Sequence, residues 1–103
     1  MKKYTINLGL FDKDTKTQKF STIDAFKVAA EIATEEVGGA TITEGTGVYT
    51  HKDGTQVIEP SLVITILDFG ELTDEKVRGL RNRLLLFFNQ EEVLLTREEV
   101  ATL

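Results

Sequence analysis

The chain has 103 residues, a length suited to one domain, and its 41% apolar and 28% charged residues are ordinary for a folded protein. It contains no cysteine, which excludes disulfides, thiol catalysis and cysteine-ligated zinc and fits a reducing compartment. The net charge of −5 excludes a broad nucleic-acid binder, because neutralising phosphates takes a basic surface, though it leaves a basic protein partner open.

Met1-Lys2-Lys3-Tyr4 lacks the apolar run of a signal peptide, and no stretch reaches the length of a membrane span. The expectation is a cytoplasmic protein that binds neither membrane nor nucleic acid directly. Over residues 3–11, Tyr4, Ile6, Leu8 and Leu10 alternate with polar or small residues, the period of a half-buried strand. Asp12 to Lys19 is polar and aperiodic, a loop. Ser21 to Asp24 forms a loose capping box. Ile23, Phe26, Ala30, Ala33 and Val37 then recur at helical spacing, and Gly38-Gly39 offers a left-handed stop.

Ala40 to Thr50 and Thr55 to Leu67 read as a hairpin around Lys52-Asp53-Gly54, with Gly54 left-handed in a three-residue loop. That register pairs Ile42 with Ile64 and Val48 with Ile58. Ile42, Val48, Ile58, Leu62, Ile64 and Ile66 then share one face, and a slip of one residue would waste it. It also sets Glu44 against Leu62 and Thr46 against Pro60. A bulge near Gly45 or Gly47 is expected to turn Glu44 outward.

Thr73 caps a second helix whose stripe is Val77, Leu80, Leu84 and Phe87, widened by Leu85, Leu86 and Phe88 and stopped at Asn89-Gln90. Val93 to Leu95 suggests a short last strand, followed by a charged tail at Arg97-Glu98-Glu99. The order β-α-β-β-α-β defines an α+β, ferredoxin-like fold over residues 1–103, a four-stranded antiparallel sheet with two helices on one face. The other face displays Phe11, Tyr49, Val57, Val63 and Leu67, too apolar to lie bare in water over a contiguous area. Burial in a homo-oligomer, a two-fold dimer first, is the simplest remedy. A groove for a ligand or a foreign protein is the competing one.

The run Gly38-Gly39-Ala40-Thr41-Ile42-Thr43-Glu44-Gly45-Thr46-Gly47-Val48-Tyr49, with Asp53-Gly54 and Glu59-Pro60-Ser61-Leu62-Val63-Ile64, resembles small uncharacterised bacterial and phage proteins of ferredoxin-like or PII-like fold. That resemblance covers about a third of the chain. It implies the same fold and a mobile-element origin, and it brings no activity.

Individual residues point the same way. The glycines from Gly38 to Gly47 run from a helix end into a strand, whereas a phosphate-binding loop runs from a strand into a helix. Asp12, Asp14 and Asp24 miss the calcium-loop register. His51 is the single histidine and is expected at the exposed hairpin tip, without metal-ligand spacing. Glu44 and Glu59 could share acid and base roles only if a bulge brings them to one face. Arg78 and Arg81, three apart on a helix, are candidates for an anion site, with a solvated helix face paired to Glu75 as the structural alternative. No catalytic residue, metal or cofactor is expected. The functional expectation is a non-enzymatic interaction protein. A PII-like sensor of anions or nucleotides is the alternative, and a small enzyme using Glu44, Glu59 or Tyr49 comes last.

Overall fold

Alternation of apolar and polar residues builds β1 (Lys2–Gly9), and the same period recurs in β2 (Thr41–Thr50) and β3 (Gln56–Asp68). The computed structural model, which describes residues 1–50 and 52–103, adds α1 (Thr22–Val37), α2 (Asp74–Phe87) and β4 (Leu94–Glu99). The four strands form one antiparallel sheet in the order β2-β3-β1-β4, with both helices on one face. This is the expected ferredoxin-like arrangement. The two most apolar strands, β1 and β3, are central, where both of their edges are hydrogen-bonded.

The hairpin has the expected register. Ile42 opposes Ile64, Val48 opposes Ile58, and Gly54 turns the chain with φ 89°. The expected bulge is absent. The ladder runs unbroken through Glu44–Leu62 and Thr46–Pro60, because Glu44 lies on the outer strand β2, where water reaches it without any re-aiming. The hairpin end also extends past the helices, leaving Val48 58% and Ile58 59% exposed, so these two residues share the core face but not the core.

Beneath the helices, Tyr4, Ile6, Leu8, Leu62, Ile64 and Ile66 meet Ala25, Ala29, Ile32 and Ala33 of α1 and Val77, Leu80 and Leu84 of α2. Both expected caps form. Ser21 Oγ accepts from Asp24 N at 3.1 Å, and Thr73 Oγ1 accepts from Lys76 N at 3.2 Å. Gly38, at φ 85°, closes α1 with its N–H on Thr34 O.

The buried stripe of α1 is rotated from the expected one. Ala33 is buried as expected, but Ile23 is 67% exposed and Phe26 is exposed, while Ala25, Ala29 and Ile32 take the buried places. Alanine lets the helix backbone approach closely, and a reading weighted by side-chain bulk selects the wrong phase. On α2, Phe87 is likewise half exposed and Phe88 takes the buried place. The expected charged tail belongs to β4 instead. Arg97, Glu98 and Glu99 pair with Tyr4, Lys3 and Lys2 of β1, and Lys3 Nζ lies 3.7 Å from Glu98 Oε1. Among the described residues, no helix is long and apolar enough to cross a membrane.

The close seat of α1 has a measurable consequence. In urea unfolding, Ala29→Leu is expected to cost about 1–3 kcal/mol by overpacking. Ile23→Ala, for all the larger side chain it removes, is expected to change stability by about 0.5 kcal/mol or less.

Candidate functional site

The loop after β1 is polar in sequence, yet it is pinned down by a buried carboxylate. Asp12 is 2% exposed. Its Oδ1 accepts from the backbone N–H of Asp14 at 2.8 Å and of Thr15 at 3.0 Å. Its Oδ2 accepts from Asn89 Nδ2 at 2.9 Å and meets Lys19 Nζ at 3.0 Å. The Asn89 hydrogen bond, then that of Thr15, hold the Asp12 carboxyl well below the usual carboxylate range against the opposing effect of burial. Asn89 is left-handed (φ 49°) at the end of α2, and its carbonyl accepts from Lys13 N at 3.0 Å. The loop is therefore bound to the helix end along much of its length.

This anchorage fixes Phe11 from two sides. Gln90, itself buried, donates from Nε2 to Phe11 O at 2.6 Å. On the other side, Glu59 Oε2 accepts from Phe11 N at 2.8 Å. Glu59 is half-buried on the open face of the sheet, and its carboxylate lies directly over Gly9 of the neighbouring strand.

Around Glu59 the open face holds two concavities that share Glu59, Gln90 and Glu92. One, of about 580 Å³, falls within the roughly 300–1,000 Å³ of small-molecule sites. Phe11, Tyr49, Val57 and Ile58 give it apolar walls, and Lys13, Lys16, Glu59, Glu91 and Glu92 bring charges of both signs. The other is a trough of about 660 Å³ over Gly9, Gly45, Gly47 and Ser61, where missing side chains leave sheet backbone accessible.

The residues singled out from sequence are distributed unevenly around this site. Phe11, Tyr49 and Val57 line the cleft, and Val63 lines the trough. Leu67 stands farther along β3, toward the Asp68 turn. Glu44 is exposed on the helix side of the sheet and Glu59 is on the open side, so they do not form a pair. His51 lies outside the described residues.

Arg78 is exposed beside Tyr4, Asp74 and Arg97 at a small cavity of about 250 Å³. Arg81 points elsewhere, donating from Nε to Asn82 Oδ1 at 2.7 Å and from a guanidinium N–H to Val93 O at 3.5 Å. Next to Arg78, Tyr4 donates to Asp74 Oδ1 at 2.7 Å, and Arg97 binds the other oxygen of Asp74. Burial, then the Asp74 bond, push the Tyr4 phenol up to about 12.

Sequence reasoning missed Asp12, Asn89 and Gln90 as parts of this site. Asn89-Gln90 read only as a helix stop, and Asp12 only as the start of a polar loop. No local pattern reveals that the two segments bind each other.

No protein-family model matches the sequence, and no curated protein does. Solved structures do match. A phage SAM lyase in complex with S-methyl-5'-thioadenosine is 30% identical over 95% of this chain and 80% of that one, with a TM-score of 0.72. The phage SAM lyase in its apo state is 27% identical over 94% and 78%, with a TM-score of 0.73. The divalent ion tolerance protein CutA1 of Ehrlichia chaffeensis, at 11% identity, a TM-score of 0.55 and coverage of 98% and 83%, shares the fold alone.

Fold and site together define a ferredoxin-like α+β protein with a cleft of mixed charge on its open sheet face. Within that class, the chain belongs to the phage SAM lyase family.

That membership overturns three expectations. The resemblance to uncharacterised proteins gives way to a match with a protein of named activity. The non-enzymatic interaction protein and the PII-like sensor both give way to an enzyme family. The physical cause of the error is that the sequence carries no contiguous catalytic motif. The cleft is assembled from a strand end, a hairpin and a helix end far apart in the chain.

Asp12 makes the loop anchorage pH-sensitive. A carboxyl group whose folded-state pKa is depressed stabilises the fold above its unfolded value, near about 4, and that stability is lost as pH falls toward the folded value. Asp12→Asn is therefore expected to lower the melting temperature at neutral pH. It should also flatten the acid limb of the stability curve below about pH 4. Melting curves across that range check this, and an acid limb as steep as the parent's would refute it.

Proposed function

We propose that the chain cleaves S-adenosylmethionine, releasing S-methyl-5'-thioadenosine, in the cleft around Glu59. The observation that carries this reading is the 30% identity to a phage SAM lyase, spread over most of both chains. The chemistry of the cleft supports it. S-adenosylmethionine joins a flat nucleobase, a sulfonium cation and a zwitterionic amino-acid end. Phe11 and Tyr49 offer aromatic surface, Lys13 and Lys16 complement a carboxylate, and Glu59, Glu91 and Glu92 complement an ammonium group.

S-methyl-5'-thioadenosine is what remains when the bond from sulfur to the aminobutyryl carbon breaks and its electron pair stays on sulfur. A lyase adds no water. The carbon that loses sulfur is satisfied from within the substrate, either by its own carboxylate closing a ring or by loss of a neighbouring proton. The sulfonium charge disappears in this step, so a carboxylate held against sulfur would stabilise the ground state more than the transition state. Glu59 serves better as an anchor for the ammonium group, whose charge persists. Held there, the substrate chain is oriented while the apolar walls exclude water from the departing sulfur.

Self-association through the open face belongs to the same proposal. Tyr49 is 45% exposed, and Leu67 and Leu94 are also exposed on that face, an apolar surface suited to a second copy. Native mass spectrometry of the intact chain would show a homo-oligomer, and a monomer at micromolar concentration would remove this part. The cytoplasmic location, supported by the cysteine-free sequence, is proposed alongside it.

Incubating the purified chain with S-adenosylmethionine, followed by chromatography and mass spectrometry, is expected to show S-methyl-5'-thioadenosine accumulating over many turnovers. Glu59→Gln, with its fold retained, is expected to lower kcat/KM about 100-fold, the usual scale of a lost orienting contact. A parent chain that leaves the substrate intact would refute the lyase reading.

A further inference from the structure

Gly9 ends β1 opposite Ser61, and nothing in its backbone calls for glycine. It is absent from the residues of positive φ, and its strand pairing is regular. The reason for glycine lies above it. A Cβ built there would stand 2.6 Å from Glu59 Oε1 and 2.7 Å from both Oε2 and Cδ, with the whole carboxylate group inside contact distance. At the same time Glu59 Oε2 holds Phe11 N–H at 2.8 Å, two residues beyond Gly9. The carboxylate therefore spans the strand through the space of a missing side chain and is tied down on the far side. Gly47, the residue opposite Glu59 on β2, meets no comparable obstruction, since a Cβ there would lie 3.7 Å from Glu59 O.

We propose that Gly9 is a positioning residue for Glu59: the bare Cα of β1 is the seat that lets the carboxylate lie flat across the strand, reach Phe11 N–H and face the cleft. Any side chain at position 9 lifts Glu59 off this seat. The consequence for catalysis rests on the lyase reading above, whereas the seat itself does not.

The experiment compares the parent, Gly9→Ala, Glu59→Ala, Glu59→Gln and the double variants in the full chain. Amide hydrogen exchange at Phe11 reports the seat without substrate. Gly9→Ala is expected to speed exchange there about 10-fold, the scale of one lost hydrogen bond. Unchanged protection would overturn the proposal. Melting temperature separates a clash with Glu59 from a general intolerance of the strand. Gly9→Ala is expected to melt below the parent, while Gly9→Ala/Glu59→Ala melts with Glu59→Ala, because the obstructing group is gone. Equal losses in both backgrounds would overturn it.

In turnover of S-adenosylmethionine, Gly9→Ala is expected to lower kcat/KM about 100-fold, as a misplaced group does. Added to Glu59→Gln it should cost nothing more, since both changes disable the same contact. Losses that multiply would overturn the positioning role. If the parent is inactive while Phe11 loses protection in Gly9→Ala, the lyase reading falls and the seat stands.

Discussion

Asp12 follows the central strand β1 with a carboxylate almost wholly shielded from water, and the rest of the site depends on how that charge is satisfied. A carboxylate in such a place is costly unless hydrogen bonds and a counter-charge surround it. Here two backbone N–H groups come from its own loop, an amide from the end of α2, and an ammonium from Lys19. These partners belong to two segments about 77 residues apart in sequence, so satisfying one group closes the loop onto the helix end. Phe11, Lys13 and Lys16 owe their places at the cleft to that closure. Phe20, stacked on Phe87 at 5.4 Å and edge-on to Phe88 at 5.6 Å, adds an apolar contact beyond the same junction.

The opposite end of the sheet repeats the device. Asp68, at the end of β3, accepts from the N–H groups of Gly70, Glu71 and Leu72 at 2.7, 2.9 and 3.0 Å. The Leu72 and Gly70 bonds hold its carboxyl below the usual range and secure the turn that leads into α2. Tyr4, Asp74 and Arg97 then join β1, the start of α2 and β4. Each end of the sheet is thus closed by a carboxylate surrounded by donors. On the open face between them, Gly9, Gly45, Gly47 and Ser61 leave a trough beside Glu59 where sheet backbone is accessible.

Much of the fold was legible in the sequence. The strand alternation, the two caps, the Gly38 stop and the hairpin register all follow from residues near one another, where propensity and periodicity act directly. The phase of α1 was not legible, because alanines that permit close packing look weaker in a sequence than the exposed Ile23 and Phe26. Nor was the length of β4, whose charges gain partners only when β1 lies alongside. Phe11, Tyr49 and Val57 were identified as outward-facing, to be covered by a second copy or to line a groove for a ligand or a foreign protein, and they line the cleft.

By itself the sequence determined the order of elements, the apolar face of each strand and the register of the hairpin, since a slip of one residue would expose the core face. Only the tertiary structure decided what Asp12, Gly9, Glu59, Asn89 and Gln90 have in common. Each reads locally as a loop residue, a small strand residue, a strand carboxylate or a helix stop. They become one site because the antiparallel pairing of β1 with β3 sets Gly9 beside the Glu59 carboxylate, and because the buried charge of Asp12 holds its loop against the end of α2.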